Sequence, residues 1–404
     1  MFFFKIFFCY SRASIFFRDL GTIWTLRNVL LFLNISCYLA APSGLTALNI
    51  ENEASKISKA LIYADAGLWD KAFDSIGKNA EEPFQNLIEW LKLRSGDGSV
   101  KSYISFIDSN PHWPGMQLLR KKAEQKIYID RSKKGVKVHQ DILKVFWDNK
   151  PQTGEGLFLF ADLHSNFENE ETIRKVLLEQ WIRVEFSDSC LKEFLKKFVG
   201  KYELNINERI EELLWNGKTS AVEQLIKFSS FRLTQSQKVR LHLQKQKRGV
   251  DIELSNLSKM QLDDPGVIFD RFRFRLKKNL IDSASKYIVV NSRKGKTTLG
   301  RPDKWAKHRM RLVKHNLGKS RYLEAYEIAS QHYLNVTNDN YTQLEWIAGF
   351  IAYQYLGDYN LAIIHFQNSL RVAVSPETKA KLNFFTGKAF QNIAEKDLAE
   401  GAFS

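Results

Sequence analysis

From Glu53 onward, apolar residues recur at three- and four-residue spacings, interrupted only by short Gly, Pro, Asn or Asp punctuation. That is the period of helices packed on one face, and no long alternating strand pattern accompanies it. The clearest unit is Ala60 to Ile76, where Ala60, Tyr63 and Ala64 line one helix, Gly67 permits a turn, and Trp69, Ala72 and Ile76 line the next. The spacing of Tyr63, Gly67 and Ala72 returns as Tyr353, Gly357 and Ala362, followed by Phe366. A further copy starts with Gly387, Phe390, Ala399 and Phe403, and both Ala362 to Ala399 and Phe366 to Phe403 are 37 residues apart. Tetratricopeptide hairpins repeat at about 34 residues, and such hairpins cannot bury their apolar faces alone. With 404 residues, 44% of them hydrophobic, the chain is long for one compact bundle. These patterns predict an all-α chain, an α-solenoid built as a superhelical stack of tetratricopeptide-like hairpins over residues 48–404.

Between the copies the periodicity predicts less regular helices: 84–94, 100–109, 118–127, 138–148, 172–184, 189–199, 207–215, 220–228, 236–247, 266–277, 304–316 and 323–332. Start signals precede three helices: Asp264-Pro265, Arg301-Pro302-Asp303 and Ser375-Pro376-Glu377. Tyr287 to Leu299 joins a β-branched run to Asn291-Ser292-Arg293-Lys294-Gly295-Lys296 and is read as an exposed loop. Leu398 to Phe403 reads as the start of a hairpin's second helix, cut short at Ser404.

Val29 to Ala41 is an apolar stretch preceded by Arg27 and followed by small residues up to Ala47. This layout predicts a signal peptide over residues 27–47, cleaved after Ala47, and hence a periplasmic protein without a stable membrane anchor. Asn34 and Ser36 interrupt the run, and a span needs about 20 apolar residues. Two alternatives are an uncleaved anchor helix and a lipoprotein acylated at Cys37, for which Asn34 is the wrong residue type. Residues 1–26 are read as an upstream extension. Cys9 and Cys37 fall in the segment expected to be removed, so Cys190 remains alone and no disulfide framework is available. Sixty Lys and Arg against 45 Asp and Glu give a net charge of +15, which suits a polyanionic partner. Nucleic acid, an anionic membrane surface and a carboxylate-bearing wall polymer satisfy that field equally well. Export would separate them, because an exported chain seldom meets nucleic acid.

Several segments resemble the long N-terminal region of soluble lytic murein transglycosylases. They are Phe106-Ile107-Asp108-Ser109-Asn110-Pro111-His112-Trp113-Pro114-Gly115 with Leu118 to Glu124, then Glu208 to Gly217, Asp264 to Val267, Arg301 to Trp305, Glu324 to His332 and Leu344 to Phe350. Taken in order they cover roughly residues 50 to 404. The resemblance implies a ring- or horseshoe-shaped superhelix, peptidoglycan as partner, and a C-terminal catalytic domain in which one glutamic acid serves as general acid and then base. That glutamate lies in a Glu-Ser pair followed by a Gly-Leu-Met-Gln run, and neither occurs here; Pro114-Gly115-Met116-Gln117 is the nearest approach. No catalytic residue is therefore carried over. The implied role is a scaffold inactive alone, either a truncated product or one half of a split gene whose catalytic domain is separately encoded. A basic helical-repeat module that binds protein or nucleic acid is the alternative.

Among candidate sites, Arg271, Arg273, Arg275, Lys277 and Lys278 interleave with Phe272 and Phe274, and could track a polyanion by charge and stacking. On a helix, Phe272 and Leu276 would face inward while Arg271, Arg275 and Lys278 share the outer side, which is also what an ordinary amphipathic helix does. Gly295-Lys296-Thr297 matches the tail of a phosphate-binding loop, but Val290 stands where its first glycine should be. His308, His315, His332 and His365 lack further ligands at metal-binding spacing, so neither a metal nor a cofactor is expected. Trp90, Trp113, Trp181, Trp215, Trp305 and Trp346 read as packing between helices rather than as sugar platforms.

Overall fold

A computed structural model describes residues 45–77, 80–131, 150–164 and 170–403. The upstream extension, most of the signal segment, Cys9, Cys37 and the helix expected over 138–148 lie outside the described residues. Within them are 22 α-helices and two short π-helical turns, with no strand. The chain is all-α, and helices that follow one another in sequence pack side by side. No helix among the described residues is long and apolar enough to cross a membrane. Two compact units divide the chain at Lys126 and Ile127.

The first unit contains α1 (Leu45–Asp65), α2 (Trp69–Ile76), α3 (Glu82–Ser95), α4 (Val100–Ser109) and the larger part of α5 (Met116–Asp130). The hairpin read at Ala60 to Ile76 is present: Ala60, Ala64, Ala72 and Ile76 are buried together with Ile88 of α3. Its turn closes when Leu68 N–H donates to the Tyr63 carbonyl at 2.8 Å, with Gly67 at φ +71°. Only that left-handed backbone lets the chain leave α1 while satisfying its last carbonyls, and glycine adopts it without strain. Farther on, Trp113 packs on Trp90 and edge-on to Phe106, and the Trp90 indole N–H donates to the Pro114 carbonyl at 2.8 Å.

The second unit runs through α6 (Gly154–Leu163), α7 (Glu170–Trp181), α8 (Asp188–Phe194), α9 (Ile206–Trp215), α10 (Thr219–Phe228), α11 (Gln235–Gln244), α12 (Val250–Ser255), α13 (Lys259–Leu262) and α14 (Pro265–Lys277). It continues with α15 (Ile281–Arg293), α16 (Lys296–Leu299), α17 (Pro302–Leu317), α18 (Tyr322–Ser330), α19 (Tyr341–Ile351), α20 (Tyr359–Leu370), α21 (Pro376–Asn392) and α22 (Lys396–Phe403). Its core is continuous from Trp215 through Phe269, Phe272 and Trp305 to Ile351, with the Phe272 and Trp305 rings stacked 4.6 Å apart.

Side chains from one helix repeatedly satisfy the exposed carbonyls at the C-terminus of another. Arg209 on α9 donates to the carbonyls of Trp181 and Val184 at the end of α7. Gln244 reaches Leu214 O at 2.7 Å, Lys277 reaches Gln244 O at 2.7 Å, and Arg309 reaches Ile328 O at 2.7 Å. Each helix leaves its last four carbonyls without partners inside the helix, and positive charge is favoured there by the helix dipole. Burial pushes the pKa of the Arg209 and Arg309 guanidinium groups down to about 9, which still leaves both charged at neutral pH.

The expected exposed loop at Tyr287 to Leu299 is helical instead, forming the C-terminal half of α15 and then α16. Ile288 and Val289 are buried, and the β-branched run is held in a helix by tertiary packing that overrides its weak helix propensity. Asn291, read as loop punctuation, is buried and donates to Tyr287 O at 2.7 Å, while Ser292 accepts from Arg309. Helix α6, which the spacing did not reveal, starts at Thr153, whose hydroxyl accepts from Gly156 N–H at 2.9 Å.

Gly349 sits where α19 meets α20, and a Cβ built on it would lie 2.7 Å from the Phe366 ring. Gly349→Ala is expected to lower stability by about 1–3 kcal/mol through overpacking, read as a shift of the chemical-denaturation midpoint. An unchanged midpoint would show that Phe366 yields freely.

Candidate functional site

The structure separates the five cations singled out in sequence. All lie at the C-terminal end of α14 or just beyond it, but only Arg271 and Arg275 share a surface, where both guanidinium groups stand over Tyr287 of α15 at 5.6 and 4.2 Å. Arg275 is further fixed by hydrogen bonds to Ser283 Oγ and Arg271 O. Arg273 lies over Phe269 against Gly217, Lys277 caps α11 through Gln244 O, and Lys278 sits by Phe274. Phe272 and Leu276 face inward as the helical reading requires. A single cationic face made of all five residues does not form.

A different positive surface forms between α14 and α15. An open groove of about 560 Å³ is lined by Arg271 and Arg275 on one side and by Lys286, Tyr287 and Lys294 on the other. Leu262, Ile268 and Val290 supply apolar wall, and Asp263 stands at the rim. Asp282 also borders the groove, but it is engaged by Lys319 at 2.9 Å, His315 at 2.7 Å and Arg321 at 2.9 Å. Those contacts, led by Lys319 and His315, hold its carboxyl well below the usual range. Among the described residues, Arg271, Arg275, Lys286 and Lys294 make no ion pair with a carboxylate. Nearby Arg293 and Arg301, by contrast, pair with Glu327 and Glu212, each at 2.7 Å. Burial lowers the pKa of Arg275 and raises that of Tyr287, the two adjacent arginines opposing the shift at the tyrosine. The groove thus offers unneutralised positive charge beside partly dehydrated aromatic surface, which suits an anion with some apolar body.

No family model matches the chain, and no curated protein matches it. The groove was half legible in sequence: the α14 arginines were seen, but Tyr287 and Lys294 lay in the stretch read as loop and Lys286 just before it. Asp282, Lys286, Val290 and Lys294 stand at i, i+4, i+8 and i+12, with Tyr287 next to Lys286, a spacing that becomes meaningful only once residues 281–293 are a helix.

The other sequence candidates resolve differently. Gly295 precedes α16 at φ +103°, and Lys296 and Thr297 open that single turn with a helix and no strand before it, so the context of a phosphate-binding loop is missing. Cys190 is fully buried, and burial pushes its thiol up, away from reactivity. Trp90, Trp181, Trp215 and Trp305 are buried between helices, while Trp346 is partly exposed with Lys381 over its ring at 4.0 Å. His308 is edge-on to Phe272, and burial, then the charges of Lys307, Arg273 and Arg311, lower its pKa to about 4.

His332 and His365, unrelated in sequence spacing, converge on buried Glu345 of α19. His332 Nε2 lies 3.0 Å from one carboxylate oxygen and His365 Nδ1 2.7 Å from the other. Leu334 N–H donates to His332 Nδ1, which leaves Nε2 to carry the proton toward Glu345. Tyr326 Oη meets His365 Nε2 at 2.9 Å, so α18, α19 and α20 are tied by one polar chain. Among the described residues no group of three or more His, Cys, Asp or Glu is arranged to hold a metal.

Burial opposes the Glu345 charge, but the hydrogen bonds from His332 and His365 outweigh it and hold its pKa down, from 4.5 to about 2. A carboxyl whose pKa falls on folding stabilises the fold above its unfolded value and loses that contribution as pH drops through its folded value. The stability difference between the wild type and Glu345→Gln should therefore contain a carboxylate part of about 3 kcal/mol above pH 5 that fades between about pH 4.5 and 2. Denaturation midpoints collected across that range would test it, and a difference independent of pH would refute the assignment.

Proposed function

We propose that this chain is a non-catalytic helical scaffold of the bacterial cell wall, exported to the periplasm, that holds peptidoglycan by its carboxylates through the groove between α14 and α15. The observation that carries this reading is the set of four cations lining the groove, Arg271, Arg275, Lys286 and Lys294, two of them over Tyr287 and none in an ion pair with a carboxylate among the described residues. Peptidoglycan fits that chemistry because its stem peptides present carboxylates in a repeating array, so many weak contacts add along one polymer. The signal layout around Val29 to Ala41 and the resemblance of residues 50 to 404 to the front region of soluble lytic murein transglycosylases supply the compartment and the polymer. The Glu-Ser pair and the Gly-Leu-Met-Gln run that carry catalysis in that family do not occur in these 404 residues, so glycan cleavage is not assigned to them.

Incubated with murein sacculi at low ionic strength, the protein should sediment with them. Retention should fall severalfold as ionic strength approaches about 1 M, where charges are screened beyond about 3 Å. The variant R271Q/K286Q/K294Q should lose most of the low-salt retention, and no anhydromuropeptides should be released. Retention that ignores salt or the substitutions would sink the groove as the wall contact, and released anhydromuropeptides would sink the non-catalytic assignment.

A further inference from the structure

The groove is more than a cationic strip. Asp263 at its rim is exposed, makes no hydrogen bond or ion pair through its carboxylate among the described residues, and lies near enough to Tyr287 for its charge to act on the phenol. A surface built only to gather polyanions gains nothing from an unneutralised carboxylate beside its arginines, since like charges repel there. Leu262, Ile268 and Val290 line the same groove, the last of them 51% exposed. Positive charge, apolar surface and, in Asp263, one unpaired carboxylate therefore line one open groove of about 560 Å³, room for a few amino-acid residues.

We infer that the groove selects a short zwitterionic peptide. A terminal carboxylate would pair with Arg271, Lys286 and Lys294, a small side chain such as that of alanine would rest on Ile268 and Val290, and a free ammonium would face Asp263. This rests on the reading that the groove is the surface that meets peptidoglycan, and it makes the stem peptide, not the glycan strand, the part that is recognised. Arg275 is a positioning residue here, because its hydrogen bonds to Ser283 and Arg271 O hold it against Tyr287 and stiffen the wall on which the carboxylate sits.

The test is calorimetric titration of the full chain with a synthetic alanine-ended tetrapeptide bearing one side-chain ammonium. Three further ligands serve as probes: the same peptide with its amine acetylated, the same peptide with its C-terminus amidated, and polyglutamate. Amidation of the peptide, or R271Q in the protein, should weaken binding about tenfold or more, as expected for loss of a charge-assisted contact. Acetylation should weaken it about two- to fivefold, the range of an exposed ion pair, and D263N should abolish the distinction between free and acetylated peptide. Equal affinity for free and acetylated peptide, no binding of any peptide, or tighter binding of polyglutamate or an oligonucleotide would overturn the inference. Sedimentation with sacculi decides the broader reading separately: retention on sacculi without peptide discrimination leaves a wall scaffold of simple polyanion type, and peptide discrimination without retention removes the wall scaffold and leaves the peptide site. Unchanged thermal unfolding of R271Q and D263N, both at the surface, confirms that a lost signal reflects binding.

Discussion

A helix that ends inside a protein leaves carbonyl oxygens that must find donors, and an array of many short helices multiplies that requirement. In the second unit the donors come from side chains of another helix: Arg209 of α9 reaches the end of α7, Gln244 of α11 that of α9, Lys277 of α14 that of α11 and Arg309 of α17 that of α18. A buried carbonyl left without a partner costs about 1–3 kcal/mol, so each of these contacts is comparable to a buried methyl-rich side chain in its effect. The same contacts fix spacing. Leu214 to Gln244 to Lys277 is a chain of side chain onto helix end with steps of about thirty residues, and it sets where each helix of that stretch must start relative to the end of an earlier one.

Arg209 and Arg309 show how far this arrangement is taken. Neither forms an ion pair with a carboxylate among the described residues; both donate to carbonyls at the negative ends of helices, Arg309 also to Ser292, with the Arg209 guanidinium over the Trp181 and Phe186 rings at 4.4 and 4.9 Å. A diffuse, planar cation tolerates such a setting better than an ammonium would. Arg240 takes the other route, pairing at 2.9 Å with buried Asp270 and with Glu211 at 2.5 Å.

The functional surface is what remains after these structural duties are assigned. Of the cationic run on α14, Lys277 is consumed by capping and Arg273 by stacking on Phe269, leaving Arg271 and Arg275 facing Tyr287. Lys286 of α15 and Lys294 just past its end add two more cations, neither in an ion pair among the described residues. Charge counted along the sequence overstates the binding surface at one helix and misses it at the next, because a cation is available to a ligand only when no helix end or carboxylate already holds it.

What the sequence by itself determined is what local periodicity can carry. The helical class, the Ala60 to Ile76 hairpin with its turn at Gly67, and α4 at Val100–Ser109 are set by apolar spacing and by residues such as Ser99 that cap the helix next to them. Inward-facing Phe272 and Leu276 follow from the same rule. Tertiary structure alone decided that the β-branched stretch at Tyr287 to Val290 is helical, since the packing of Ile288 and Val289 outweighs a propensity difference of a few tenths of a kcal/mol. It alone brought His332 and His365 to Glu345, and Arg271 to Tyr287, because those contacts join separate helices and leave no period in the chain. Local spacing encodes which face of a helix is buried; which other helix meets that face is settled by the packing of the whole array.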